Sequence, residues 1–246
     1  MPKIYRCPKC DARYDPPLDA ASACPGCGIW FQKWLRQEGF GGGPAEAPAG
    51  VFVPAPDAEV GAATFYGRLA AFVLLALWSF RLAGYDYRVA EINASFMHAI
   101  LLPIHEAGHV FLMPFGEFMT VLGGSLFQLA LPLGIGAAFL LRQNDRFGAA
   151  LCVWWAGASL VDLSPYIWDA LNPQMVLLGG RTGEDGPHDW IYLLERFGLL
   201  HRAHGLGATA HHLGVLVMFG GLAWCAPWLL RHWKALRGRD APSRAD

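Results

Sequence analysis

The chain has 246 residues, of which 54% are hydrophobic and 16% charged, and its formal net charge at pH 7 is −1. Its mean hydropathy of +0.29 is too high for an ordinary soluble domain and indicates a membrane protein. Neither a basic stripe nor the interleaved aromatic residues of a nucleic-acid-binding protein occur in the sequence, so nucleic acid is excluded as a partner.

Residues 1–36 are predicted to form a zinc ribbon. Cys7 and Cys10 form one Cys-x2-Cys pair, and Cys24 and Cys27 form a second pair thirteen residues later. Four thiolates can surround Zn²⁺ tetrahedrally, and such a closed site is structural rather than catalytic. Because so small a module has almost no hydrophobic core, the metal would supply most of its folding free energy. Two disulfides are the alternative, which a cytosolic module disfavours.

The remainder of the chain is predicted to be a helical membrane domain, 64–236, joined to the ribbon by a flexible Gly/Pro/Ala-rich linker, 37–63, and followed by a basic and polar tail, 237–246. Five apolar segments of the membrane domain approach bilayer length. They are Thr64–Ala83, Ala94–Phe115, Met119–Leu141, Phe147–Trp168 and Ala210–Leu230. The predicted fold is therefore an all-α polytopic membrane protein with about five to six membrane segments and a small N-terminal zinc ribbon.

The orientation of these segments is a separate question. A cysteine-based zinc site favours the reducing cytoplasm for the N-terminus, and the positive-inside rule places the basic C-terminal tail on the same side. Five spans would put the two ends on opposite sides. We therefore expect either that one segment is re-entrant or that the stretch Trp190–Leu200 enters the membrane.

The second apolar segment contains a metal-binding motif, His105-Glu106-Ala107-Gly108-His109. Two histidines four residues apart lie on the same face of a helix, so both imidazoles can reach one metal ion. A glutamate beside them can act as general base towards a water molecule that the metal activates, which is the arrangement of HExxH zinc hydrolases. Ionisable groups near a bilayer centre cost about 2.5–3.5 kcal/mol each, so a shared metal explains why they lie together there.

Catalytic zinc usually has three protein ligands, and the best source of a third is the end of the fourth segment. Asp162 and Asp169 both lie there, and Pro165 is expected to break the helix between them. Broken helix at membrane depth is tolerated where it lines a cavity.

Together these features resemble the site-2 protease family of intramembrane zinc metallopeptidases. The family has an HExGH motif and, two segments later, an Asn, a Pro and a Leu-Asp-Gly whose Asp is the third zinc ligand. Asp162 stands in the place of the Asn, Pro165 matches the Pro and Asp169 matches the ligand. Trp168 and Ala170 replace the Leu and Gly, the spacing is one residue shorter, and a PDZ-like domain is missing. The resemblance covers about 94–170 and implies a metallopeptidase-like fold.

Other residues compete for a role at this site. His188 is an alternative third ligand or a gate, Asp162 and Asp189 are further alternatives, and Asp189 is otherwise expected to cap the helical stretch beginning at Trp190. His98 lies on the same helical face as His105 and is considered as a ligand or a substrate contact. The small residues between Gly123 and Gly136 predict close helix packing, and Gln128 among them is considered as a hydrogen-bond partner of a substrate backbone.

The predicted function is zinc-dependent hydrolysis of peptide bonds in membrane or juxtamembrane substrates. The catalytic Zn²⁺ would be held by His105, His109 and Asp169, with Glu106 as general base, and a second, structural Zn²⁺ would lie in the ribbon. Expected partners are membrane lipid, a membrane-protein substrate and a protein bound by the ribbon. The expected location is integral to the membrane, with the ribbon in the cytoplasm. A non-catalytic zinc-binding scaffold or sensor is the alternative.

Overall fold

The computed structural model describes residues 3–31 and 61–239, with side chains up to residue 237. The chain divides into two compact units, Met1–Ala58 and Glu59–Asp246. The predicted linker, 37–63, falls almost entirely outside the described residues, as does most of the predicted tail, 237–246.

The N-terminal unit contains an antiparallel pair of strands, β1 (Lys3–Arg6) and β2 (Arg13–Asp19), in which Ile4 lies opposite Leu18. Two tight turns carry the cysteine pairs and have the same backbone geometry. In each, the N–H of the first cysteine donates to the carbonyl five residues on, and its carbonyl accepts from the N–H four residues on, at 2.8–3.0 Å. The residue whose N–H donates to the carbonyl of the first cysteine has a left-handed backbone conformation in both turns. It is Asp11 (φ 64°) in the first turn and Gly28 (φ 71°) in the second.

The second unit is a bundle of helices. Its elements are α1 (Ala62–Ala83), α2 (Phe96–Leu112), α3 (Glu117–Gln143), α4 (Arg146–Asp169), the short α5 (Asp189–Arg196) and α6 (Ala203–Arg239). Among the described residues, five helical stretches are long and apolar enough to cross a membrane. They contain the helices α1, α2, α3, α4 and α6, whereas α5 is too short. The predicted helical fold with five long apolar segments is confirmed at this level. The last stretch, Leu200–Arg237, is longer than the predicted segment.

The prediction that Pro165 breaks the fourth helix is wrong, because α4 continues through it to Asp169. A proline lacks the N–H that would bond to the carbonyl four residues earlier, here that of Val161. The Ser164 hydroxyl donates to this carbonyl at 2.6 Å. The freed backbone acceptor is therefore satisfied locally, and the helix has no need to end.

Contacts between helix termini define the two ends of the bundle. At the proximal end, where α1 begins, Arg68 is paired with Asp145 at the start of α4 (3.3 Å) and lies 4.5 Å from the ring of Trp228 late in α6. At the distal end, Tyr87, just beyond α1, contacts Trp168 at the end of α4 and His211 near the start of α6, with ring centroids 5.3 and 4.7 Å apart. Thus α1 and α4 run in one direction and α6 returns.

Helix α2 differs from the others because it begins and ends in the distal half of the bundle. Its first residue, Phe96, stacks on Trp78 in the last turns of α1 (6.0 Å). It is followed by a short turn and then α3, whose Phe118 contacts Phe197 in the connection to α6 (6.0 Å). Because α2 stays in the distal half, α1 starts and α6 ends at the same end of the bundle. Whether one segment is re-entrant in a membrane stays a prediction.

Candidate metal centre

Three potential ligands converge beside α2. The Nε2 atoms of His105 and His109 lie 3.1 and 3.2 Å from Oδ2 of Asp189, and the ligand atoms of the three residues lie within 4.8 Å of one another. Bonds of about 2.0–2.2 Å to a tetrahedral zinc ion would place such atoms about 3.4 Å apart. The three side chains therefore fit a single zinc ion with small adjustments.

Hydrogen bonds orient both imidazoles for metal binding. Nδ1 of His109 lies 2.8 Å from the carbonyl oxygen of Thr120, and Nδ1 of His105 lies 3.0 Å from Oε1 of Gln128. Both oxygens are acceptors, so each Nδ1 carries the proton and each Nε2 presents a lone pair towards Asp189. Partners of this kind are typical of histidines that ligate metals.

The amide of Gln128 is itself fixed by a chain of buried polar groups. Its Nε2 donates to Oδ2 of Asp162 at 3.0 Å, and Oδ1 of Asp162 lies 2.9 Å from Nδ1 of His98. Asp162, considered from the sequence as a ligand, thus contacts His98 and Gln128 instead. Gln128 is 1% exposed and lines the cavity, and its amide is held by His105 on one side and Asp162 on the other; its considered contact with a substrate backbone stays a prediction.

Glycines allow α2 and α3 to approach closely enough to form the site. A Cβ on Gly123 would lie 2.5 Å from the carbonyl oxygen of Gly108, so the two backbones are in direct contact. A Cβ on Gly124 would lie 2.5 Å from Nε2 of His109 and closer still to Nε2 of His105. The space in front of the two lone pairs is therefore free only because residue 124 has no side chain.

Asp169, the third ligand predicted from the sequence, does not lie in this group, and Asp189 takes that place. Oδ1 of Asp169 accepts the backbone N–H groups of Gln174 and Met175, each at 2.9 Å. Its Oδ2 lies 3.4 Å from Nε2 of His188. The end of α4 is thus used to anchor the following loop, and the carboxylate that reaches the imidazoles comes from the far end of that loop.

His188, the predicted alternative ligand or gate, caps α5. Its Nδ1 accepts the N–H of Ile191 at 3.3 Å, whereas Asp189, expected from the sequence to be the cap, is the first residue of the helix. The Asp189 carboxylate is therefore free to point at His105 and His109. Burial by itself raises the pKa of Asp189. When the two Nε2 atoms carry protons in the place that a metal ion would take, they donate to the carboxylate, and these hydrogen bonds lower the pKa of Asp189 to about 2.

Tyr166 belongs to the site but was not identified from the sequence. Its hydroxyl oxygen accepts the backbone N–H of Asp189 at 2.9 Å, and its ring lies 6.0 Å from that of His105 and 4.3 Å from that of His188. Its position directly after Pro165, in the stretch already considered for the third ligand, was the available signal. An apolar segment contains too many aromatic residues for that signal to single it out.

A cavity of about 670 Å³ contains these groups. Its polar lining includes His98, His105, Glu106, His109, Asp162 and Asp189. Glu106 is half-buried, so the predicted general base shares the cavity with the candidate metal ligands. Apolar residues 175–178 of the loop between α4 and α5 also line it, and this loop brings Asp189 to the site.

The N-terminal unit contains a separate cluster formed by Cys7, Cys10, Cys24 and Cys27. Sγ of Cys7 lies 3.6 Å from that of Cys27, and Sγ of Cys10 lies 3.6 Å from that of Cys24. Bonds of about 2.3 Å to a tetrahedral zinc would place the sulfurs about 3.8 Å apart. The four cysteines therefore fit a closed metal site. All are free thiols.

Comparison with known proteins adds no assignment, because neither a family model, nor a curated protein, nor a solved structure matches the chain.

Replacing Gly124 by alanine is expected to abolish metal binding in the bundle, because the new methyl group would displace both imidazole Nε2 atoms from their common point. Gly134 in the same helix is the matched control, since a Cβ there would meet no described atom within 4 Å. Gly134→Ala should retain the metal and gain up to about 1 kcal/mol of helix stability. Zinc content per purified chain, together with thermal unfolding, distinguishes the variants. Normal zinc content in Gly124→Ala would contradict the assignment.

Proposed function

We propose that this chain is an integral membrane zinc metallopeptidase, related in its site to the site-2 proteases, that cleaves peptide bonds of membrane proteins. The observation that carries the proposal is the convergence of His105, His109 and Asp189 in one cavity with Glu106. Two neutral imidazoles and one carboxylate are a typical ligand set of catalytic zinc, and they leave a fourth position open.

Location in a membrane is supported by the outer surface of the bundle. Large apolar side chains are exposed on several helices, for example Phe80 of α1 (68%), Val110 of α2 (65%) and Leu216 of α6 (70%). Exposed apolar surface of this kind is costly in water and favourable in lipid. By contrast, the polar groups of the site face inward, as expected of ionisable residues in membrane proteins.

The chemistry follows from the groups in the cavity. A zinc ion held by the three ligands would supply a Lewis acid and lower the pKa of a water molecule towards ~7. Glu106 would take a proton from the attacking water and pass it to the departing amine of the peptide bond. The hydroxyl oxygen of Tyr166 accepts the backbone N–H of Asp189 and so holds the start of α5, and with it the Asp189 carboxylate, at the site.

The cavity is suited to a segment of polypeptide. Its volume of about 670 Å³ is within the usual range for a binding site, about 300–1,000 Å³. Apolar residues of the 175–178 loop line it together with the charged groups, so the cavity offers an apolar surface for peptide side chains and polar groups for the peptide backbone. We propose no catalytic role for the ribbon: its four-thiolate site would be closed, and its surface remains available to a protein partner.

The direct test is a search for new chain termini in membrane proteins. Membranes from cells that express the chain are compared with membranes from cells that express the His105→Ala/His109→Ala variant at equal levels, and the termini are identified by mass spectrometry. We expect termini that depend on the wild-type chain. Recovery of the same termini with the variant would show that the metal centre does not cleave them.

A further inference from the structure

Besides the candidate metal ligands, the cavity is lined by a second polar pair, His98 of α2 and Asp162 of α4. Nδ1 of His98 lies 2.9 Å from Oδ1 of Asp162. The side chain of Asp162 is 5% exposed, whereas that of His98 is 23% exposed. His98 is therefore the member of the pair that a molecule in the cavity can reach.

Helix α2 sets the distance between this pair and the metal ligands. His98 precedes His105 by seven residues, and α2 continues through Pro103, so the two side chains share a face and lie about 10 Å apart along the helix axis. Leu102, on the same face between them, also lines the cavity. An extended peptide advances about 3.3 Å per residue. A peptide lying along this face with one carbonyl at the metal would therefore reach His98 with the third residue from that carbonyl.

The hydrogen bonds of the pair determine which of its atoms is available to a substrate. Oδ2 of Asp162 accepts from Gln128 and Oδ1 faces His98, so both carboxylate oxygens have a partner. Because a carboxylate only accepts hydrogen bonds, Nδ1 of His98 carries a proton. Nε2 of His98 has no hydrogen-bond partner among the described residues. A ring nitrogen without a partner in a partly apolar cavity is costly, and a polar side chain of a bound peptide would supply the missing hydrogen bond.

We propose that His98 determines substrate specificity by binding a hydroxyl or amide side chain three residues from the bond that is cleaved. This inference rests on the proposed function and names the substrate class of the same cavity. Apolar side chains of a substrate would contact Leu102 and the apolar loop residues 175–178, but at His98 they would leave Nε2 without a partner. A site that hydrogen-bonds a polar group discriminates against its apolar analogue. The preferred substrates are therefore apolar segments with Ser, Thr, Asn or Gln at that position.

Leucine-rich peptide hydroxamates test the subsite without requiring cleavage, because a hydroxamate binds zinc at an open coordination position. A single Asn is moved from the first to the sixth residue, so that all probes have the same composition. One series carries the peptide on each side of the hydroxamate, since a substrate can run along α2 in either direction. Affinities for the zinc-loaded full-length chain are measured by calorimetry. In one series we expect the probe with Asn at the third residue to bind about 3–10-fold more tightly than the others, the effect of one hydrogen bond.

His98→Leu should remove this maximum, whereas His201→Leu, which changes an exposed histidine that does not line the cavity, should retain it. Affinities that do not depend on the position of Asn in either series, a maximum at another residue, or a maximum that persists in His98→Leu would overturn the subsite. If no probe binds the zinc-loaded wild type, both the metal centre and the subsite are wrong. If the maximum is found but no new termini depend on the chain, only the peptidase proposal fails.

Discussion

Glu106→Gln is expected to abolish peptide hydrolysis while leaving the zinc content of the chain unchanged. Glutamine has the size of glutamate but cannot take a proton from water, and general-base catalysis is worth about 10²–10⁴-fold in rate. The metal should remain because Glu106 is not among the three residues that converge on the site. The measurement is the rate of substrate cleavage in purified, reconstituted protein, with zinc determined on the same sample.

Glu117→Gln is the matched control, since Glu117 is an exposed glutamate in the first turn of α3 and does not line the cavity. It should cleave substrate at the wild-type rate, with at most about 1 kcal/mol lost from the helix-dipole interaction. Equal activity of Glu106→Gln and wild type would exclude Glu106 as the base. Zinc bound at the bundle site without any cleavage by the wild type would favour the non-catalytic scaffold.

Local patterns in the sequence were sufficient to locate two of the three candidate metal ligands in the bundle. His105 and His109 are one helical turn apart, so their convergence is determined by helix geometry and requires no knowledge of the tertiary fold. The cysteine pairs were equally predictable, because each tight turn presents two thiols by itself. The five long helices followed from apolar length alone.

The third candidate ligand could not be predicted because its position depends on the path of a loop. Asp169 lies at the end of α4, and Asp189 lies twenty residues later, after a segment with neither helical nor strand periodicity. The choice between them is made by hydrogen bonds from Gln174 and Met175 to Asp169 and by the cap of α5 at His188. Such long-range contacts leave no periodic signal in the sequence.

Pro165 illustrates a second limit. The sequence pattern indicated a helix break, but the hydroxyl of Ser164 satisfies the carbonyl that the proline leaves without a partner. A proline therefore predicts a missing hydrogen bond, and whether the helix ends depends on the side chains beside it. Because α4 continues, Tyr166 is placed on a regular helix with its hydroxyl at the backbone of Asp189.

Asp189→Asn is expected to lower the zinc affinity of the bundle by more than about 100-fold, whereas Asp169→Asn should leave it nearly unchanged. Loss of a group that merely orients a ligand already costs about 10–100-fold in affinity, and loss of a charged ligand should cost more. Asparagine at 189 keeps the backbone N–H that Tyr166 accepts, so the position of α5 is retained. Asparagine at 169 keeps an oxygen for the N–H groups of Gln174 and Met175.

The two variants are distinguished by the zinc content per chain after dialysis against a series of chelators of increasing affinity for zinc. Because the four cysteines of the N-terminal unit could hold a second metal ion, each variant is also prepared with Cys10→Ser, which removes one of these four candidate ligands and changes no residue of the bundle. In that background Asp189→Asn should retain almost no zinc and Asp169→Asn should match the parent. The opposite pattern would mean that the loop between α4 and α5 rearranges when metal binds and delivers Asp169 to the two imidazoles.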